Sequence, residues 1–317
     1  MSHSSDPGLK IAETADDAAL SKMCVKRSRP IYRFRRATAA AFDAGAASRP
    51  YSAPFHRSAI RAGYYVDPFL SCFIRRPGRR SPLINRGYYA RVVAVDLFLA
   101  RFLAVARATG DGRAQVLNLG AGVDTAFWRA AAGPALQPGA DAATPASGLP
   151  KTLWVELDFP AVTARKAETI ATNERLLSLV AGRATTAADL RSPSNDAVSP
   201  GSSGPRSPPN AASSGAPAAV AGVTFAKTAN GGCDVTGAGG YRLITADLRD
   251  ITGLRALVAA AGIDVNVPTL LLSECVLVYL EPEDSCAIIA WAAREFKRSV
   301  FMTYEQVRTR ARSSNHC

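Results

Sequence analysis

The sequence predicts a doubly wound α/β fold built on a parallel sheet. From about residue 114 onward, short apolar runs alternate with segments in which apolar residues recur every three or four positions. The runs are almost continuously apolar, which is typical of strands buried on both faces of a parallel sheet. A chain of 317 residues with 48% hydrophobic side chains also has ample apolar material for one large core.

Helices are predicted ahead of the sheet. Thr14 is placed as an N-cap, with two acids in the next turn, and starts a helix to about Cys24. The aromatic residues of 59–76 suit a packed helix, and 84–108 carries apolar residues at helical spacing. We expect these N-terminal helices to form a cap over the sheet domain.

Five strands and four intervening helices follow. Pro160 and Pro282 each stand near the first turn of a predicted helix, where proline is tolerated. The predicted strands are AQVLNLG (114–120), TLWVELD (152–158), YRLITADLRD (241–250), PTLLLSECVLVYL (268–280) and SVFMTYEQ (299–306). The predicted helices are 124–132, 159–176, 251–261 and 281–296.

Two stretches interrupt the alternation of strands and helices. Residues 133–151 and 181–240 are rich in Ala, Gly, Ser and Pro and have little periodicity. We interpret both as flexible insertions between elements of the sheet.

The net charge of +12, from 38 Lys and Arg against 26 Asp and Glu, suggests an anionic partner. Most of the excess lies in two segments. Residues 25–58 hold eight basic residues and one acid, and 307–317 hold three arginines. Segment 25–58 lacks a period and contains three prolines, so we interpret it as a basic disordered insertion. The aromatic residues within this segment leave nucleic-acid binding as the alternative. Outside the two segments the basic and acidic residues nearly cancel, so we expect no nucleic-acid partner.

Other classes of protein are disfavoured by composition. No apolar run reaches 18 residues and the N-terminus has no apolar leader core, so we expect a cytoplasmic protein without a membrane partner. Six cysteines form no CxxC pair, which disfavours a zinc ribbon or disulfide framework, and no metal is expected. His3, His56 and His316 all fall in segments that look unstructured, so no catalytic histidine is expected.

A glycine turn follows the first strand, at Gly120-Ala-Gly122. Small residues here let a ligand approach the backbone and the N–H groups of the next helix. A dinucleotide fingerprint would place glycine or alanine at position 125, where this chain has Thr125. The turn therefore favours an adenosyl cofactor without a pyrophosphate over NAD, and a tight turn without a ligand remains the alternative.

Acids follow the next two strands. Asp158 can accept hydrogen bonds from both ribose hydroxyls, and we favour it over Glu156 because it lies at the strand end, where ligands bind. Asp247 can receive an adenine amino group. The alternative there is helix capping by Asp250 and Thr252, which does not explain Asp247.

Glu274 lies inside an apolar strand, where a carboxylate is costly unless it is paired. A cationic cofactor, such as a sulfonium that carries an α-amino group, is one possible partner. A structural arginine is the other, and the residues alone do not decide between them.

Several motifs together resemble the leucine carboxyl methyltransferases. The resemblance implies an S-adenosylmethionine-dependent, Rossmann-like methyltransferase fold. It also implies methyl esterification of the C-terminal leucine of the protein phosphatase 2A catalytic subunit. The matching motifs are Asp16-Asp17-Ala with Lys22, GYYVDPF (63–69), INRGYYARV (84–92), VLNLGAGVDTAFWR (116–129), ELDFPAV (156–162), ADLRD (246–250), PTLLLSECVLVYL (268–280) and YEQ (304–306).

The resemblance also implies roles for single residues. Lys22 and Arg91 correspond to the contacts of the cofactor carboxylate, and Arg91 also faces the substrate carboxylate as the catalytic residue. The alternative for Arg91 is an ordinary surface charge. The other cofactor-binding positions that the resemblance implies are Gly120, Asp158, Asp247, Leu248 and Glu274.

Two features depart from the family. There the glycine of GYY follows the lysine by seven positions, whereas here segment 25–58 separates Lys22 from Gly63. Members also continue past YEQ with the last sheet strands, where this chain has 307–317. We hypothesise that both segments are translated introns, and expect a sheet lacking its last strands and weak activity.

The sequence thus predicts an N-terminal helical segment, an insertion, a methyltransferase domain and a tail outside the family pattern. We expect the protein to be a monomer that acts on the C-terminal tail of the phosphatase catalytic subunit. The alternatives are a tRNA wybutosine-type methyltransferase and an inactive cofactor-binding interaction protein, while an NAD-dependent dehydrogenase is disfavoured by Thr125. The predicted boundaries are 1–24, 25–58, 59–306 and 307–317.

Overall fold

A computed structural model describes residues 53–74, 80–136, 140–191 and 222–305. The helix predicted from Thr14 to Cys24, including Lys22, lies outside the described residues, as does the tail 307–317.

One seven-stranded sheet organises the described chain, in the order β3-β4-β5-β2-β1-β6-β7. The pairs from β5 through β2, β1 and β6 to β7 are parallel, and β3 and β4 are antiparallel additions beside β5. All five predicted strands are present, so the doubly wound α/β prediction is confirmed. The strands are β1 (Ala114–Leu119), β2 (Thr152–Asp158), β3 (Val223–Lys227), β4 (Cys233–Gly237), β5 (Tyr241–Thr245), β6 (Thr269–Glu274) and β7 (Ser299–Tyr304).

Helices precede the sheet and connect its strands. The helix predicted over 159–176 is in fact two, because the chain breaks at Asn173. Its side chain accepts a hydrogen bond of 3.3 Å from the Leu176 N–H and caps the second helix. The helices are α1 (Ala53–Arg61), α2 (Leu70–Phe73), α3 (Pro82–Ala108), α4 (Ala126–Ala132), α5 (Pro160–Thr172), α6 (Glu174–Val180), α7 (Ala187–Arg191), α8 (Ile251–Ala260) and α9 (Pro282–Glu295), with 3₁₀ turns at Gly133–Leu136 and Leu277–Tyr279.

The central strands are buried on both faces. Val116 and Trp154 point to the core that α3, α4 and α5 cover, while Leu117 and Val155 point to the core under α8 and α9. Alternate residues of one strand thus enter different cores, which explains why the strands read as continuous apolar runs.

Parts of both predicted flexible insertions are ordered, so that interpretation is wrong for those parts. Within 181–240, β3 and β4 form an antiparallel hairpin that extends the sheet. Within 133–151, Ala135 and Leu149 are buried in the first core. The hairpin escaped sequence analysis because its strands have five residues each and β3 is largely exposed, which leaves no apolar run.

Helix α1 crosses the boundary predicted at residue 58. It begins at Ala53, and both Ser58 and Ala59 are buried. Ala59 packs against Ile84 and Tyr88 of α3. The end of segment 25–58 is therefore part of the folded cap. A helix of nine residues inside a basic stretch offers too few apolar positions to show a period. Instead of one helix over 59–76, the chain forms the end of α1, a loop and the short α2.

The connectivity places a ligand crevice at the carboxyl ends of the strands. The sheet order changes direction at β1, which has β2 on one side and β6 on the other. In open α/β sheets, ligands bind where the order reverses, beyond the carboxyl ends. Asp158 and Glu274 end β2 and β6, while Gly120 follows β1 and Asp247 follows β5. Four of the predicted site residues thus lie at one edge.

Candidate functional site

Arg91 and Glu274 form an ion pair at this edge. Helix α3 brings Arg91 to the end of β6, where its Nε lies 2.8 Å from Glu274 Oε2. The side chains are only 16% and 15% exposed. Burial raises the pKa of Glu274, although Arg91 opposes that rise. Burial alone would lower the pKa of Arg91, yet Glu274 beside it raises that pKa. Of the two partners considered for Glu274, the structure shows the arginine, and Arg91 is not an ordinary surface charge.

The turn after β6 is held by Glu305. Cys275 has a left-handed backbone (φ 54°), which directs the next residues across the end of β1. Glu305 Oε1 accepts hydrogen bonds from the N–H groups of Val276 (3.2 Å) and Leu277 (3.1 Å). Its Oε2 is buried and has no hydrogen-bond partner among the residues that the structure describes. Sequence analysis noted this residue only as part of the YEQ motif, and its contacts show that it shapes the site.

The glycine turn is packed on one side and open on the other. Gly120 has φ 68°, and a Cβ there would lie 2.6 Å from Cγ2 of Val276. Gly122 has φ 51°, but a Cβ there would meet no atom of the described residues within 4 Å. Only glycine therefore fits at position 120, while the backbone at 122 borders open space.

Asp158 holds the open side of that turn. Its Oδ2 accepts a 2.6 Å hydrogen bond from the Gly122 N–H, and its Oδ1 accepts one of 2.7 Å from the Phe159 N–H. Burial raises the pKa of Asp158, and the two N–H groups oppose that rise. A carboxylate offers about four lone-pair sites, so these bonds leave acceptor capacity for hydroxyl groups.

Glu156 is committed to a buried pair below the turn. Its Oε2 lies 2.6 Å from Lys166 Nζ and accepts a 2.6 Å hydrogen bond from the Tyr241 hydroxyl. Lys166 also donates to the carbonyl of Asp124, at 3.0 Å, and so fixes the chain after the glycine turn. Glu156 is fully buried, and this burial raises its pKa. Glu156 is thus engaged below the turn, whereas Asp158 lies at its open side.

Asp247 and Leu248 lie at the same edge, beyond β5. Asp247 pairs with Arg249 at 2.5 Å and keeps 39% of its side chain exposed, while Leu248 is buried. Burial would raise the pKa of Asp247, but its hydrogen bonds with Arg249 lower it. Asp250 caps α8 by accepting a bond of 2.9 Å from the Gly253 N–H. Capping thus accounts for Asp250 and leaves Asp247 at the crevice.

His56 is a residue of this region that sequence analysis missed. Helix α1 places its ring 4.4 Å from the Tyr88 ring, and its Nδ1 lies 2.9 Å from the Tyr65 hydroxyl. The expectation that His56 lies in an unstructured segment is wrong. His56 stands seven positions before Gly63, which is the position at which the family has its lysine. The lysine assigned from the motifs, Lys22, lies outside the described residues. That spacing was the signal that could have identified it.

A polar network fixes the cap to the sheet domain. Arg129 of α4 binds Asp67 (3.2 Å), in the loop before α2, and Asp96 of α3 (2.8 Å). Thr125 donates from Oγ1 to Asp67 Oδ2 at 2.6 Å. Burial alone would lower the pKa of Arg129, but Asp96 and Asp67 raise it. Thr125 therefore has a structural role at the position where a dinucleotide fingerprint has glycine or alanine.

The residues at the edge fit an adenosyl cofactor. The open side of the glycine turn at Gly122 allows close approach, and Asp158 retains acceptors for ribose hydroxyls. The pair of Arg91 and Glu274 offers a cation and an anion to the two charged groups of an amino acid. Within the described ranges, no cluster of three or more His, Cys, Asp or Glu residues could hold a metal ion. No helix among the described residues is long and apolar enough to cross a membrane.

The chain matches the family model described as leucine carboxyl methyltransferase over residues 34–208 and 222–293. The match takes in residues 34–58, which sequence analysis placed outside the family pattern. A homolog of leucine carboxyl methyltransferase 1 from Arabidopsis thaliana is 30% identical over 79% of the chain and 57% of its own length. Leucine carboxyl methyltransferase 1 of Rattus norvegicus is 31% identical over 79% of the chain and 58% of its own length.

A second group of relatives carries a different name. The tRNA wybutosine-synthesizing protein 4 of Homo sapiens is 34% identical over 81% of the chain and 30% of its own length. The chain therefore spans less than three fifths of the length of these curated relatives.

Proposed function

Because the chain belongs to the leucine carboxyl methyltransferase family, we propose that it uses S-adenosylmethionine to methylate the C-terminal leucine carboxylate of the protein phosphatase 2A catalytic subunit. The observation that carries this proposal is the Arg91–Glu274 pair, set beside the glycine turn at the carboxyl edge of the sheet. An arginine at such a place can hold a carboxylate in line with a bound cofactor.

The cofactor would be held by the residues at this edge. Asp158 would accept the ribose hydroxyls, Asp247 and Leu248 would contact the adenine, and Glu274 and Arg91 would face the amino-acid end. Lys22, for which the resemblance implies a contact with the carboxylate of that end, lies outside the described residues. When bound, S-adenosylmethionine supplies a methyl group on a sulfonium. The Gly120 turn, packed on Val276, would leave the backbone at Gly122 open to the ligand.

The substrate carboxylate needs little activation by the protein. A peptide α-carboxyl has a pKa of about 3.3–3.7, so it is already an anionic nucleophile at neutral pH. No general base is required, and the work left to the chain is to align the carboxylate and to exclude water. Arg91 suits that role because its guanidinium has five N–H donors. Glu274 accepts hydrogen bonds from Nε and Nη2 of Arg91, which leaves other donors for a carboxylate.

The proposal is tested by methyl transfer from labelled S-adenosylmethionine to a phosphatase-tail peptide ending in leucine. The same peptide with a C-terminal amide is the matched control, since it lacks the nucleophile. We expect weak but carboxylate-dependent incorporation, measured with the protein in excess over the peptide. Equal incorporation into the two peptides, or none into either, contradicts the proposal.

A second candidate function is carboxyl methylation of tRNA. The human wybutosine-synthesizing relative, at 34% identity, is the observation that favours it. Adding undermodified tRNA as a third substrate separates the two candidates. Incorporation into tRNA but not into the leucine-ended peptide would favour the tRNA activity. Cofactor binding without transfer to any substrate would instead favour an inactive cofactor-binding interaction protein.

A further inference from the structure

His56 lies on the face of α3 that carries Arg91. Its ring meets the Tyr88 ring edge-on, with centroids 4.4 Å apart. Tyr88 precedes Arg91 by three positions on α3, so the two side chains neighbour each other on that helix. The imidazole therefore borders the same end of the crevice as the Arg91–Glu274 pair.

Tyr65 allows this imidazole to change its charge in place. Burial, with the charge of Asp67, raises the pKa of Tyr65, so the hydroxyl keeps its proton and can donate to His56 Nδ1 at 2.9 Å. The ring proton is then on Nε2. The same hydroxyl lies 3.5 Å from the His56 carbonyl oxygen and can turn to donate there. Once turned, its oxygen can accept a hydrogen bond from a protonated Nδ1. Tyr65 can therefore pair with both the neutral and the charged imidazole.

The charges that face His56 favour the neutral imidazole. Burial, followed by the guanidinium groups of Arg91 and Arg129, lowers the pKa of His56 well below its ordinary value. The carboxylates near these arginines are already engaged by them; they belong to Glu274, Asp67 and Asp96. A new anion beside Arg91 would reverse the balance, since an opposite charge within about 4–6 Å favours the charged imidazole.

We propose that His56 is a second ligand, beside Arg91, for a carboxylate bound at this edge, and that its imidazole takes up one proton from solvent as the carboxylate binds. This inference rests on the proposed function. The carboxylate is either the amino-acid end of the adenosyl cofactor or the leucine end of the peptide. A lysine at this place would keep its charge across neutral pH, whereas a histidine makes the affinity depend on pH.

The test measures binding of S-adenosylhomocysteine, which carries the carboxylate, and of 5′-methylthioadenosine, which lacks the amino-acid end. Calorimetry from about pH 5.5 to about pH 8.5 gives both affinities. In two buffers of different ionisation enthalpy it also gives the protons taken up. We expect the dissociation constant of S-adenosylhomocysteine to rise with pH, by up to about tenfold per unit. That of 5′-methylthioadenosine should stay constant.

Two variants assign the effect to His56. His56→Gln should abolish the proton uptake and weaken S-adenosylhomocysteine binding at low pH. His56→Lys should bind it tightly at every pH in this range. Unchanged 5′-methylthioadenosine binding shows that each variant is folded. A leucine-ended peptide and its amide, titrated into the 5′-methylthioadenosine complex, form the second arm. If proton uptake appears only with the peptide acid, the carboxylate is the substrate's.

Different results overturn the inference and the function on which it rests. If neither adenosyl ligand binds at any pH, the proposed function fails. If neither S-adenosylhomocysteine nor the peptide acid takes up a proton on binding, or if His56→Gln keeps the proton uptake, the role of His56 is refuted while the cofactor assignment stands. A purely structural role of His56 would also change the affinity for 5′-methylthioadenosine, which the inference does not allow.

Discussion

Lys166 and Glu156 illustrate what a single buried ion pair controls. Both side chains are almost completely buried, and their charged atoms lie 2.6 Å apart under the glycine turn. Removing one partner of a buried pair leaves an uncompensated charge, which costs about 3–5 kcal/mol. We therefore expect Lys166→Met to lower the free energy of unfolding by about that amount, measured by urea denaturation.

Two further variants control this prediction. Lys297→Met replaces an exposed lysine that contacts Asn266 at the surface, and should leave the unfolding midpoint almost unchanged. The double variant Lys166→Met with Glu156→Gln should recover part of the loss, because no buried charge is left alone. A cost for Lys166→Met equal to that for Lys297→Met would contradict the account.

His56 should make stability depend on pH. Its pKa in the fold is lowered, so the unfolded chain binds a proton more readily below about pH 6.5. Unfolding then takes up a proton, and the free energy of unfolding falls as the pH falls from about 6.5 toward the folded-state pKa. His56→Gln should flatten this part of the profile. The measurement is thermal unfolding of both proteins at several pH values, and parallel profiles would refute the prediction.

Single residues also show how far sequence can lead. Asp158 and Glu274 could be singled out because an acid at the end of an apolar strand is unusual. Their partners could not be predicted, since Arg91 precedes Glu274 by 183 residues and only the fold brings them together. His56 was missed because a basic, proline-containing stretch hid a short helix.

At the scale of elements, the glycine turn after β1 depends on a close approach to the turn after β6. Gly120→Ala would introduce a Cβ 2.6 Å from Val276 and place alanine at φ 68°. The left-handed conformation alone costs about 1–2 kcal/mol. We expect a larger loss of unfolding free energy than this, together with loss of S-adenosylhomocysteine binding.

Gly231→Ala provides the matched control for the turn. Gly231 has φ 86° in the β3–β4 turn, and a Cβ there would lie within 4 Å of no atom in the described part of the chain, so only the conformational cost is expected. Adding Val276→Ala to Gly120→Ala should restore part of the stability by removing the clash. Equal unfolding midpoints for the two glycine variants, from thermal denaturation, would show that the packing on Val276 is unimportant.

The elements differ in how well the sequence predicts them. The five parallel strands were predictable because burial on both faces demands continuous apolar runs. The β3–β4 hairpin was not, because exposed polar residues such as Lys227 in β3 and Thr236 in β4 interrupt any apolar run. The break at Asn173 was also missed. An N-cap residue that lies between two segments of similar helical pattern resembles an ordinary residue of one longer helix.

At the scale of the molecule, the cap and the sheet domain are joined by Arg129. Its guanidinium is 10% exposed and binds Asp67 and Asp96, which belong to different parts of the cap. Arg129→Met should loosen the loop and helix over 62–74 while leaving the central strands unchanged. Hydrogen exchange measured by mass spectrometry should show faster exchange in that range but not in β1 or β2.

Arg255→Met is the control for this prediction. Arg255 pairs with Glu295 at 2.8 Å, but its side chain is 59% exposed, and exposed pairs contribute little. Its exchange pattern should resemble that of the unsubstituted protein. Faster exchange across the whole sheet in Arg129→Met would mean that the network supports the entire fold and not the cap alone.

The distribution of charge also belongs to this scale. Most of the +12 lies in 25–58 and 307–317, so it gives little support to a basic surface on the sheet domain. The proposed function depends instead on charges that are paired at the crevice, where Arg91 meets Glu274. The order of motifs along the chain, and not the net charge, predicted the family.

The central claim is that Arg91 directs a peptide carboxylate to the methyl donor. It is tested most directly by the labelled methanol that base releases from the leucine-ended peptide after a single turnover. The matched variants are Arg91→Met and Arg101→Met, since Arg101 is an exposed arginine on the same helix. We predict methanol from the unsubstituted chain and from Arg101→Met, and about a hundredfold less from Arg91→Met. Equal release from the two variants, or label that resists base, would contradict the claim.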